Sequence, residues 1–171
     1  IRLRDVSPKW DVINVAFAEP VNGATGGTIG FTPYNYTDAD FIADVAYLKS
    51  RGKKVLISIG GANGQVRLET VAAKYNFVRS MISIIEKYGF DGMDIDFEGH
   101  SLSLNPGDAD FRNPTTPVIV NTIAAIREIR NHFGPGFVLT MAPETFFVQL
   151  GYSFYGGSCA GCDNRAGAYL P

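Results

Sequence analysis

The sequence predicts an α/β protein built on a parallel sheet, and three observations carry that expectation. Apolar runs of strand length recur along the chain. Helical patterns with their own start and stop residues fill the intervals, and no low-complexity tract or linker divides the 171 residues. That length is enough for one domain with a sizeable core. With 46% hydrophobic and 19% charged residues, the composition is that of an ordinary globular protein. A net charge of −2 leaves no basic footprint for nucleic acid. No apolar run approaches the roughly 18–20 residues of a membrane-spanning helix.

The elements follow in order. Val12–Ala18 is nearly continuous in apolar character, as a parallel strand covered on both faces should be. Thr37 caps a helix running to Lys49, with Phe41, Val45 and Leu48 on one face and Gly52 as its stop. Val55–Ile59 is the second strand and ends at Gly60-Gly61. A longer helical region closes on Met81, Ile84, Ile85 and Tyr88 and is stopped by Gly89. Phe90–Glu98 is the third strand. Thr116-Pro117 opens another helix, with a cap residue and a proline at the first helical position. Ile119, Ile123, Ile126, Ile129 and Phe133 give that helix a core stripe, and Gly134 ends it. Phe137–Ala142 is the last strand, because Pro143 lacks the donor needed to continue a ladder. The order β-α-β-α-β-α-β implies right-handed crossovers.

The third strand carries the chemistry. In Asp91-Gly92-Met93-Asp94-Ile95-Asp96-Phe97-Glu98, strand alternation puts Asp94, Asp96 and Glu98 on one face and Met93, Ile95 and Phe97 on the other. Successive carboxylates then lie about 6.6 Å apart, at roughly 3.3 Å per residue. Two ionised carboxylates at that distance repel by about 2.5 kcal/mol at an effective dielectric of roughly 20, nearly two pKa units. Such a strand is stable only if protons are shared or a cation sits there. An exposed strand edge is disfavoured by the apolar opposite face. The polar stretch 99–115 follows directly, where an α/β protein places substrate contacts.

Lesser signals read more plainly. Gly23–Gly30 lacks the Gly-Lys-Ser/Thr ending of a phosphate loop and is expected to be a flexible loop. Trp10, the single tryptophan, is expected to be a packing residue, and His100 and His132 have no metal-ligand spacing. Asn35-Tyr36-Thr37 is a glycosylation acceptor only in a protein secreted by a eukaryote. Cys159 and Cys162 fit a local disulfide better than a redox pair or half a zinc site, since there is no second cysteine pair and no preceding thioredoxin-like strand.

The acidic run resembles the signature of the chitinases of glycoside hydrolase family 18, matching at every acidic position. Ser58-Ile59-Gly60-Gly61 resembles the family's other signature, and Met141–Glu144 resembles a segment of its bacterial secreted members. The resemblance covers most of the chain. It implies a (β/α)₈ barrel, of which the four strands are the second to the fifth. All of 1–171 would then be part of one catalytic domain, with the first strand before Ile1 and the sixth to eighth after Pro171. The missing strands would come from the rest of the polypeptide or from another chain. It implies a secreted enzyme that needs no cofactor or metal and cleaves chitin or N-acetylglucosamine oligosaccharides by a substrate-assisted mechanism. Glu98 would be the proton donor, Asp96 would orient the acetamido group, and Asp94 would hold a proton in contact with Asp96. Phe17, Ser58, Gly60, Gly61, Met141 and Glu144 are candidate substrate-binding residues, and Asp91 a structural one. The alternatives are an endo-β-N-acetylglucosaminidase acting on N-glycans, a chitin-binding lectin, which typically lacks the terminal glutamate, and a magnesium hydrolase using Asp94, Asp96 and Glu98. Expressed alone, residues 1–171 are expected to melt without a sharp transition and to lack activity, as calorimetry and a chitin-oligomer assay would show.

Overall fold

The computed structural model describes residues 1–98, 101–108, 110 and 112–145. His100, Cys159 and Cys162 lie outside the described residues. Five strands form one sheet: β1 (Val12–Pro20), β2 (Ile29–Gly30), β3 (Lys54–Gly60), β4 (Gly92–Asp96) and β5 (Val138–Met141), in the order β2-β1-β3-β4-β5. β1, β3, β4 and β5 run parallel, and the short β2 pairs antiparallel with Glu19 and Pro20 at the end of β1. Three helices, α1 (Asp38–Ser50), α2 (Val71–Tyr88) and α3 (Pro117–Phe133), make the crossovers.

Local chemistry accounts for the helix ends. Thr37 and Thr70 each accept a backbone N–H through their hydroxyls, from Asp40 and Ala73, and so cap α1 and α2. Gly89 ends α2 in the left-handed conformation. Thr116 occupies the cap position of α3 but makes no side-chain cap bond. Its hydroxyl goes to Asp108 instead.

The core lies between one face of the sheet and the helices. Met93, Ile95 and Phe97 of the acid strand are buried there with Ile57 and Ile59, against Phe77, Met81 and Ile85 of α2 and Ile129 of α3. Phe31, Phe41, Tyr88 and Phe90 close one end as an aromatic cluster, with ring centroids 5.0–6.0 Å apart and mostly edge to face.

Four expectations need correcting. The glycine-rich 23–30 segment is not a flexible loop, because it contains β2 and is pinned to α2. Ser80 accepts from the Ile29 N–H at 3.0 Å, Asn76 donates to the Gly26 carbonyl at 3.1 Å, and a Cβ on Gly27 would lie 2.1 Å from the Ala73 carbonyl oxygen. Composition records the glycines but not what packs on them. Trp10 is 64% exposed and is not a packing residue. Ile123 is 40% exposed, because at 100° per residue it lies about 120° around α3 from buried Ile129. β1 is not covered on both faces. Ile13 and Val15 are half-buried, but Val12, Asn14, Ala16 and Phe17 are exposed, since among the described residues β1 has only β3 and the two residues of β2 as neighbours.

The N-terminal 3₁₀ turn (Leu3–Asp5) is tied down by fully buried Asp44 of α1. Arg4 donates to that carboxylate through its guanidinium and its backbone N–H, and Arg2 and Tyr36 add further donors. Burial alone would push Asp44 up. The Arg4 and Tyr36 hydrogen bonds and the Arg2 charge outweigh it and hold the carboxyl below the usual range. A carboxyl depressed in the fold contributes stability above its unfolded value of about 3.9, and that contribution is lost as pH falls through the folded value. Asp44→Ala is expected to cost about 2 kcal/mol at pH 7. The difference from wild type should shrink as pH drops below about 4, which urea unfolding at the two pH values would measure.

Candidate active site

The strand register assembles the site. Asp94 lies opposite Ser58 of β3 and Thr140 of β5, and Gly60 lies opposite Asp96. Cross-strand partners share a face, so one buried carboxylate is gripped from both sides. The Ser58 hydroxyl donates to Asp94 Oδ2 at 2.7 Å, and the Thr140 hydroxyl donates to Oδ1 at 2.6 Å. Asp96, two residues further along, is half-buried and held above the usual aspartate range. Burial is the first cause, the Asp94 charge the second and the Glu144 charge the third.

The proton of the Asp94–Asp96 pair was expected on Asp94 in contact with Asp96. Both Asp94 oxygens are hydrogen-bonded to hydroxyls, and Asp96 is the carboxyl raised above its ordinary range.

Gly60 and Gly61 are required by the backbone. Both have positive φ, +114° and +73°. A Cβ on Gly60 would sit 2.1 Å from the Asp96 carbonyl oxygen, and one on Gly61 would sit 3.0 Å from the Phe17 ring. The Gly61 N–H donates to that same Asp96 carbonyl at 2.8 Å. What crowds these glycines is therefore the acid strand and Phe17. The register of β1 against β3 is irregular between Val15 and Ala18, a device that re-aims side chains. Phe17, 37% exposed, borders two open grooves of about 310 and 340 Å³.

Glu98 lies half-buried beyond the end of β4, and its carbonyl accepts the Ser101 N–H at 2.8 Å. The segment after it is anchored to the loop following β3. Ser101 accepts from the Val66 N–H, and Arg67 donates to Ser103 at 3.1 Å. Buried Asp108 secures the far side of the segment, accepting the Thr115 and Thr116 N–H groups at 3.0 and 2.7 Å.

Glu144 sits at this same end of the sheet, near enough for its charge to act on Asp96. Met141 does not join the carboxylates. It pairs with Ile95, so it falls on the opposite face from Asp94, and it is 52% exposed. The residue of β5 on the carboxylate face is Thr140, which sequence reasoning passed over. Its signal was a hydroxyl inside an apolar run, the same signal that marked Ser58. Asp91 lies at the other end of β4, where it accepts the Val55 N–H at 2.9 Å with Lys49 and Lys54 each 3.5 Å away. Among the described residues, no three His, Cys, Asp or Glu side chains are grouped to hold a metal ion.

A parallel sheet with a row of carboxylates at the carboxyl end of one strand, a glycine pair beside it and long loops above it defines a glycosidase-type barrel site. The comparisons bear this out. Residues 3–157 match the sequence profile of glycosyl hydrolases family 18, and the chain belongs to that family. It is 56% identical over 171 residues to chitinase Chi52 of Paenibacillus xylanexedens and 57% identical over 178 residues to exochitinase 1 of Streptomyces olivaceoviridis. These matches take in 100% and 99% of the chain but only 31% and 30% of the relatives, so the chain spans about a third of their length. The crystal structure of a family GH18 chitinase from Chromobacterium violaceum superposes with a TM-score of 0.76 at 40% identity, covering 92% of this chain and 39% of that one. The sheet is thus an arc of a (β/α)₈ barrel.

Gly60→Ala tests the backbone argument. The added methyl cannot fit against the Asp96 carbonyl and the residue is left at positive φ, so a loss of about 3 kcal/mol or more is expected in denaturant unfolding.

Proposed function

We propose that the protein carrying this chain is a chitinase, cleaving β-1,4 linkages between N-acetylglucosamine units with Glu98 as proton donor. The observation that carries this reading is the division of labour along one strand face. Asp94 is gripped by two hydroxyls, Asp96 is biased to keep a proton, and Glu98 lies beyond them at the open end of the strand. The names of the relatives favour chitin as the substrate.

The reaction starts with substrate seated across the carboxyl ends of the strands. Glu98 protonates the glycosidic oxygen as the bond to the anomeric carbon breaks. The carbonyl oxygen of the substrate's own acetamido group attacks that carbon from the other side, giving an oxazolinium ion, and family 18 is an exception to the two-carboxylate scheme for this reason. Asp96 orients the acetamido group and, once ionised, offsets the positive charge growing on its nitrogen. Water then opens the ring with Glu98 as base, so the product keeps its anomeric configuration. Phe17 and Glu144 flank the site as sugar contacts, with Ser58, Gly60 and Gly61 shaping the strand ends. The protein acts outside the cell on an insoluble polymer, and the remaining barrel strands belong to the rest of the polypeptide.

Glu98→Gln is expected to lower kcat on chitin oligomers by about 10²- to 10⁴-fold while leaving binding nearly unchanged; activity within tenfold of wild type would overturn the assignment. The raised value of Asp96 predicts that activity falls on the acid side from above the ordinary aspartate range of about 3.9. Asp96→Asn should lower the rate and displace that limb in a kcat against pH profile. Fully deacetylated polymer should be cut far more slowly than chitin, and EDTA should change nothing. Equal rates on the two polymers would contradict the internal nucleophile.

A further inference from the structure

We propose that Thr140 is a positioning residue of this site: its hydroxyl, acting with that of Ser58, holds Asp94 as the charged member of the Asp94–Asp96 pair. The inference rests on the chitinase reading for its kinetic consequence, but its structural core is independent of it.

Asp94 is buried, and a buried carboxylate keeps its charge only if that charge is compensated. None of the ion pairs among the described residues includes Asp94. Among the described residues, the charged groups of this site are of its own sign. Asp96 lies on its own strand, Glu98 just beyond the end of that strand and Glu144 after β5, while β3 contributes the neutral Ser58 opposite it. Compensation therefore falls to two hydroxyl donors, one to each carboxylate oxygen and one from each neighbouring strand. Hydrogen bonds from fixed donors to an ionised oxygen are the stronger kind. With Asp94 ionised, its charge raises the cost of ionising Asp96 and keeps the proton there. Thr140 thus acts on the acetamido-facing residue through Asp94, without touching substrate itself.

Thr140→Val keeps the shape and removes the donor. Asp94 then loses one of its two hydroxyl donors, so its charge weighs less on Asp96. The acid limb of kcat/KM, set by Asp96, should move downward by up to about one pH unit, with KM near the pH optimum little changed. Thr140→Ser, which restores a hydroxyl, should return the limb close to its original place. A merely structural threonine would lower stability without moving the limb. A limb that stays put in a folded Thr140→Val protein, or one that Thr140→Ser fails to restore, would overturn the proposal.

Carboxyl ¹³C NMR titration of the wild-type protein gives a reading that needs neither a folded variant nor activity. Asp96 is expected to titrate above the ordinary aspartate range, and an ordinary value there would overturn the proposal. If chitin is not the substrate, the kinetic arm fails in wild type while a downward move of the Asp96 titration in Thr140→Val still tests the role of Thr140.

Discussion

The Asp94 carboxylate, buried and held by hydroxyls from the strands on either side, is the constraint on which the rest of the site depends. A carboxylate in that position is tolerable only with both oxygens satisfied, which requires β3, β4 and β5 to be in one particular register. A slip of one residue in either neighbour would turn its hydroxyl to the other face and leave a buried charge with half its partners. The same contact therefore locks the sheet register and seats Asp94 beside Asp96.

The apolar face of the strand makes this grip affordable. Met93, Ile95 and Phe97 are buried beneath the helices, so the strand cannot rotate to bring Asp94 into water without exposing three large side chains. Gly60 and Gly61 act from the other direction, holding the Asp96 carbonyl by a backbone hydrogen bond where no side chain has room. Asp91 secures the far end of the same two strands through the Val55 N–H. Hydrophobic packing below, backbone contact at the carboxyl end and a carboxylate clip at the amino end leave β4 little freedom. Preorganisation of this kind is what a polar site needs if its groups are to act without rearranging.

Much of this was legible in the sequence because it depends on local periodicity. The period-2 pattern of 91–98 gave the two faces of the acid strand, and Thr37, Gly89 and Pro117 marked helix ends at the residues where they fall. The readings that failed concern neighbours that periodicity does not name. Trp10 was placed inside by its type, yet nothing among the described residues covers it fully. Ile123 fitted a helical stripe but fell outside the arc that meets the sheet. The 23–30 segment looked flexible because glycine permits flexibility, whereas here it permits close approach to α2.

The sequence by itself determined the order of strands and helices, the carboxylate face of the acid strand and the family to which that face points, since each is written in spacing along one segment. Only the tertiary structure decided which residues of other strands meet those carboxylates. It brought Thr140, 46 residues from Asp94, into the site and turned Met141 away. It also raised Asp96 above its ordinary range through burial and the neighbouring Asp94 and Glu144 charges. The physical reason is that protonation depends on burial, on donors and on nearby charge, and these come from cross-strand register, which no single segment encodes.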